Sequence, residues 1–206
     1  MSRFNLLKKQ VFEASMWLSN NGFFGGLLSS GGNVSLLDET RDFVAITPSG
    51  RQYATMTYKD ICIVDLEGEG VETPWNPSVE TSMHLGVYRE REDVSAVVHT
   101  HQTYASVLSV INKPLPSLFD EINMTIGRDI GIVPYALSGT AELADMVRAY
   151  FKEGRLCAIL QNHGAVSVGA DLPLALKHAE ILEKACRIYY LALAAGQPVS
   201  TLDEFI

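Results

Sequence analysis

Residues 94–101 read VSAVVHTH, an apolar run rich in β-branched residues that ends in two histidines one position apart. Such a run predicts a buried strand over 94–99, and side chains on a strand alternate between faces. His99 and His101 therefore leave the strand on the same side. A second apolar run, CAILQ at 157–161, ends in Asn162-His163-Gly164 and is followed by another short strand, AVSV at 165–168. Further strands are expected at 43–47, 61–64 and 130–134. Between these lie helical patterns. Residues 4–18 place Phe4, Leu7, Val11, Ala14 and Leu18 at spacings of three and four, and Asn20-Asn21-Gly22 stops the run. Helices are also expected at 79–90 with Ser78 as N-cap, at 103–111, at 140–152 between Thr140 and Gly154, and at 172–195 between Asp171 and Gly196. Residues 22–35, GFFGGLLSSGGNVS, read as a loop. The alternation favours an α/β or α+β fold.

The chain has 206 residues, 47% hydrophobic and 19% charged. That length predicts one domain over 1–206 and a core that buries roughly 70% of the unfolded surface. Sixteen basic against 24 acidic residues give a net charge of −8, which offers no footprint for nucleic acid. The longest apolar runs are too short to span a membrane. Cys62, Cys157 and Cys186 are far apart and form no CxxC pair, so neither a disulfide framework nor a cysteine zinc site is expected. With no signal peptide legible at the N-terminus, a reducing, cytoplasmic setting is expected.

The chain has five histidines: His84, His99, His101, His163 and His178. Two imidazoles on one strand exit and a third beside a tight Gly164 turn suit a cation such as Zn²⁺, with an open fourth position for catalysis. From the residues alone, a HxH pair is more often a packed or surface feature than a metal site. Glu80 stands four positions before His84 and shares its helical face. It reads either as a ligand or acid/base, or as a first-turn acid favoured by the helix dipole. His84 reads as packed or supporting, and His178 as structural. The turns Gly31-Gly32-Asn33, Ser49-Gly50 and Pro77-Ser78 are either ordinary turns or cradles for a phosphate.

Taken together, GGNVS (31–35), ITPSG (46–50), PSVE and His84 (77–84), AVVHTH (96–101), VPY…GT (133–140) and NHGAVSVG (162–169) resemble the class II, metal-dependent sugar-phosphate aldolases, with the pentulose-phosphate 4-epimerases as near relatives. The likeness covers about residues 5–200. It implies a three-layer α/β/α fold around a mixed, largely antiparallel sheet. It also implies one Zn²⁺ per subunit on His99, His101, His163 and Glu80, with Co²⁺, Mn²⁺ or Fe²⁺ as other occupants. Glu80 would leave the metal to act as acid/base. Gly32, Asn33, Ser49, Gly50 and Ser78 would hold a phosphate. The implied activity is reversible cleavage of a phosphorylated ketose of the fuculose 1-phosphate kind to dihydroxyacetone phosphate and an aldehyde, through a Zn-stabilised enediolate. The implied assembly is a homotetramer with its site at a subunit interface.

Three places depart from the aldolase pattern. Val79 stands where a second phosphate serine is expected. The segment LFDEIN falls where an aldehyde-protonating tyrosine is expected, which leaves Asp120, Glu121 and Tyr135 as candidates. The tail, 203–206, carries no tyrosine. Asp120 followed by Glu121-Ile122-Asn123 resembles the epimerases, whereas Glu80 favours the aldolases. Epimerase, or decarboxylase or dehydratase action on a sugar-acid phosphate, is the alternative on the same scaffold. An oxygenase of cupin type would need a carboxylate soon after the HxH, and 102–106 offers none. A non-catalytic interaction module would have lost the ligands.

Overall fold

The computed structural model describes residues 3–25 and 31–202; part of the loop expected at 22–35 and the tail 203–206 lie outside them. Among the described residues, eight strands form one mixed sheet: β1 (Asn33–Leu37), β2 (Phe43–Ile46), β3 (Cys62–Asp65), β4 (Gly70–Glu72), β5 (Ala96–Thr100), β6 (Ile132–Val133), β7 (Cys157–Leu160) and β8 (Gly164–Gly169). Their order is β4-β3-β2-β1-β5-β8-β7-β6. Among these described strands only the β6–β7 pair is parallel. Among the described residues, six α-helices cover the two faces: α1 (Asn5–Asn20), α2 (Thr81–Glu90), α3 (Thr103–Val110), α4 (Asp120–Ile126), α5 (Ala141–Lys152) and α6 (Leu172–Ala194).

Strand alternation sorts the core into these layers. Val97, Val44, Ile46, Val166 and Val168 face α2 and α5, where they meet Met83, Leu85, Leu143, Val147 and Phe151. Val34, Leu36, Ala96 and Val98 face the other way, onto α1 and the start of α6. Further along that second face, Ile159 and Ala165 pack on α3, α4 and the rest of α6. The result is a three-layer α/β/α arrangement, as expected. No helix among the described residues is long and apolar enough to cross a membrane.

Four elements differ from expectation, one of them β4 at Gly70–Glu72, where no strand is expected. Residues 33–37 form a fully buried strand rather than the end of a loop. Asn33 and Ser35 gave it a polar reading, but both point inward and find partners there. The 79–90 helix begins at Thr81, with Glu80 rather than Ser78 in the N-cap position. Ser78 lies two residues further out, where its hydroxyl accepts from the Glu80 amide. A short helix, α4, occupies the 120 region, where only the segment LFDEIN had been considered. The caps at Thr140 and Asp171 form as expected, accepting from the amides of Leu143 and Leu174. His178 is structural: its Nδ1 donates to the Val168 carbonyl and ties α6 to β8.

The segment leaving β5 is fixed from a distance. Gln102 at the start of α3 makes no side-chain cap. Instead the Glu183 carboxylate of α6 accepts from the amides of Tyr104 at 2.8 Å and Ala105 at 3.0 Å. A carboxylate at a helix N-terminus satisfies orphan amides and opposes the dipole. Glu183→Ala is expected to destabilise the fold by about 1–3 kcal/mol, read as a lowered urea midpoint at unchanged slope; an unchanged midpoint would remove this cap from the account.

Candidate metal centre

The centre sits at one end of the sheet, where β1, β5 and β8 meet. The β5 register sets Asn33 opposite His99 on one side and Val166 on the other. His99 follows Val97 on the face toward α2, and His101 follows it just past the strand. His163 comes from the tight turn that joins β7 to β8. There Asn162 takes a left-handed φ of 54°, which asparagine tolerates. At Gly164 a Cβ would overlap the Thr100 carbonyl oxygen and lie 2.9 Å from His101 Cδ2, so only glycine lets the turn close against β5.

The nitrogens converge. One ligating atom from each of His99, His101 and His163 lies within 4.8 Å of the others. His99 is fully buried, and its Nδ1 donates to the Ala165 carbonyl at 3.0 Å. Its Nε2 therefore carries the lone pair, 3.0 Å from His101 Nε2. Burial pushes the pKa of His99 and of His101 down, which keeps both imidazoles in the neutral, ligating form. His163 Nδ1 is buried with no hydrogen-bond partner among the described residues.

Glu80 closes the set. Only 4% exposed, it places Oε2 3.2 Å from His99 Nε2 and Oε1 3.4 Å from His163 Nε2. Burial alone would raise its carboxyl. The Asn33 amide at 2.8 Å from Oε2 and the Ser138 hydroxyl at 2.9 Å from Oε1 donate to the carboxylate and favour its ionised form against burial. A tetrahedral site with bonds of 2.0–2.1 Å has ligand edges of about 3.3–3.4 Å. The His99–His101 separation of 3.0 Å and the contacts of the two Glu80 oxygens at 3.2 and 3.4 Å are near that, and the three imidazole nitrogens lie within 4.8 Å of one another, so the donor set could hold one divalent cation.

The residues of the expected phosphate cradle also meet at this end. Pro48 and Pro77 form a β-bridge, Ser49 N–H donates to Asn76, and Ser78 N–H donates to Thr47. Thr47 in turn bonds Val34 in both directions, which draws both turns toward Gly32 and Asn33. The amides of Ser49 and Ser78 are thus spent on carbonyls, and their hydroxyls remain to donate. Gly32 has φ +68°, and a Cβ there would overlap the Phe24 ring and lie 2.7 Å from the His99 carbonyl oxygen. Val79 is 63% exposed beside Glu80.

Residues 9–190 match the family described as Class II Aldolase and Adducin N-terminal domain. The chain belongs to the class II aldolase family. It is 38% identical over 192 residues to the 5-methylthioribulose-1-phosphate/5-deoxyribulose-1-phosphate aldolase of Rhodospirillum rubrum, covering 93% of this chain and 84% of that one. It is 32% identical over 200 residues to the L-fuculose phosphate aldolase of Escherichia coli O6:H1, covering 97% and 90%. A solved L-fuculose 1-phosphate aldolase superposes with a TM-score of 0.88 at 35% identity, covering 99% of this chain and 93% of that one.

Within this class II aldolase, Asp120 is not brought to the cluster. It is exposed at the first turn of α4, on the α6 side of the sheet. Tyr135 is 57% exposed, and its amide donates to Gln161 Oε1, which pins the 133–140 loop to the His163 turn. That loop supplies Ser138, a Glu80 partner the sequence reading missed; it lay unmarked inside the VPY…GT motif. His99→Ala is expected to abolish metal retention after dialysis, measured by elemental analysis. Stoichiometric metal in that variant would contradict its place in the centre. Gly32→Ala is expected to cost about 2 kcal/mol or more through overpacking and strain, measured by urea unfolding.

Proposed function

We propose that this chain is a Zn²⁺-dependent aldolase that reversibly cleaves a ketose 1-phosphate to dihydroxyacetone phosphate and an aldehyde. The observation that carries this reading is the convergence of three imidazole nitrogens on a buried, ionised carboxylate. His99, His101, His163 and Glu80 would hold the cation. When bound, it supplies Lewis-acid stabilisation of negative charge developing on the ketose oxygens as the C3–C4 bond breaks.

The remaining work falls to side chains. Glu80 takes a proton from C3 of dihydroxyacetone phosphate in the condensation direction and returns it during cleavage, as an ionised carboxylate beside the cluster can. The Ser49 and Ser78 hydroxyls, the Gly50 amide, Gly32 and Asn33 would grip the phosphate and fix the substrate's orientation. Asp120 is our candidate to exchange the proton of the aldehyde oxygen. Exposed and away from its own cluster, it would serve the site of a neighbouring copy in a homotetramer. Relatives named for 5-deoxyribulose, 5-methylthioribulose and fuculose phosphates support a ketose 1-phosphate and leave the aldehyde half open.

The test is release of dihydroxyacetone phosphate from L-fuculose 1-phosphate, 5-deoxyribulose 1-phosphate and 5-methylthioribulose 1-phosphate, with Zn²⁺ and with a chelator. Chelator-sensitive release from at least one is expected. No release, with an epimerised pentulose phosphate instead, would transfer the assignment to the epimerases. With Zn²⁺ in excess, Glu80→Gln is expected to lose roughly 10²–10⁴ of the rate; wild-type turnover would remove Glu80 from the chemistry.

A further inference from the structure

Behind Glu80 runs a line of buried polar side chains, of which the chemistry above uses only Asn33. Asn33 Nδ2 reaches Glu80 Oε2 at 2.8 Å, and Asn33 Oδ1 lies 2.6 Å from His84 Nε2. His84 Nδ1 lies 2.6 Å from Ser35 Oγ, which lies 2.6 Å from Tyr88 Oη. All four residues are buried in the layer between β1 and α2.

The direction of every bond follows from the first. A carboxylate only accepts, so the Asn33 amide nitrogen must face Glu80 and its oxygen must face His84. That oxygen also only accepts, so His84 Nε2 carries a proton. Burial lowers the His84 pKa to about 4, so the ring is neutral and Nδ1 is bare. Ser35 must then donate to Nδ1, and Tyr88 must donate to Ser35. Tyr88, Ser35, His84 and Asn33 thus donate in one sense, all toward Glu80 Oε2, and each bond polarises the next.

Packing alone does not call for this. Helix positions 84 and 88 face β1, and apolar side chains there, with an apolar residue at 35, would avoid the desolvation of the His84, Tyr88 and Ser35 polar groups. We propose that Tyr88, Ser35 and His84 are positioning residues that act through Asn33 to aim the Glu80 carboxylate at the three imidazoles. The role given to Glu80 rests on the aldolase reading above. Oε2 is fixed from the rigid sheet, while Oε1 is held by Ser138 on an exposed loop. Asn33 is also one of the residues of the expected phosphate cradle, and its second amide N–H remains to donate.

The test compares Zn²⁺ affinity by chelator competition, without substrate, and kcat and KM at saturating Zn²⁺. The variants are His84→Leu, His84→Gln, Tyr88→Phe, Glu80→Gln and the His84→Leu/Glu80→Gln double variant. Glutamine offers an amide N–H and an oxygen, so it can rebuild both links; leucine can rebuild neither. His84→Leu is expected to weaken Zn²⁺ binding roughly 10–100-fold and to lower kcat with KM changed by less than about twofold. His84→Gln restores most of both, and Tyr88→Phe shows a smaller loss of the same kind. In the Glu80→Gln background His84→Leu adds no further loss of Zn²⁺ affinity. Equal losses in the leucine and glutamine variants, or additive losses in the double variant, overturn the proposal. A wild-type protein that releases no triose phosphate overturns only the aldolase reading, because the zinc measurements need no substrate.

Discussion

His99 Nδ1 donates to the carbonyl oxygen of Ala165 on the adjoining strand, and this bond decides which nitrogen faces the cluster. It exists because β5 and β8 pair antiparallel with Thr100 opposite Ala165. The same register puts the β7–β8 turn, and with it His163, beside the end of β5. A slip by one residue would turn His99 to the opposite face and separate the imidazoles. The centre is therefore a property of strand pairing rather than of any one loop. Gly164 makes that pairing possible at its tightest point, where a side chain would strike the Thr100 carbonyl.

The second constraint is charge. Glu80 is buried at the head of α2, and an ionised carboxylate away from water is costly unless it is fully satisfied. Its side chain is not spent on the amides of its own helix, as a capping acid's would be. It turns to His99, His163, Asn33 and Ser138 instead. The core beneath is apolar on both faces of the sheet, so this polar line from Glu80 to Tyr88 is a deliberate exception placed between β1 and α2. Stability and site geometry are coupled there, because the groups that satisfy the carboxylate also anchor the strand to the helix.

Much of this was legible in the sequence. The HxH at the exit of an apolar strand, the Asn-His-Gly turn and Glu80 before a helix name the four candidate ligands, and strand alternation predicts that His99 and His101 share a side. Long helices with clear caps, such as 172–195, were readable from Asp171 and Gly196. What escaped has a common cause. β1 carries Asn33 and Ser35 on its inner face, and buried polar residues make a strand read as a loop. Ser138 sits on a loop with no periodicity, and only the tertiary fold brings it to Glu80. His84 and Tyr88 have helical spacing but nothing in the sequence says that Ser35 and Asn33 lie against them.

The central claim is that one cation is held by three imidazoles and Glu80. X-ray absorption at the zinc edge of the zinc-loaded protein tests it most directly. The account predicts a four-coordinate or slightly expanded first shell with three imidazole scatterers and oxygen, at about 2.0–2.1 Å. A shell with one imidazole or none, or one dominated by sulfur, would contradict it.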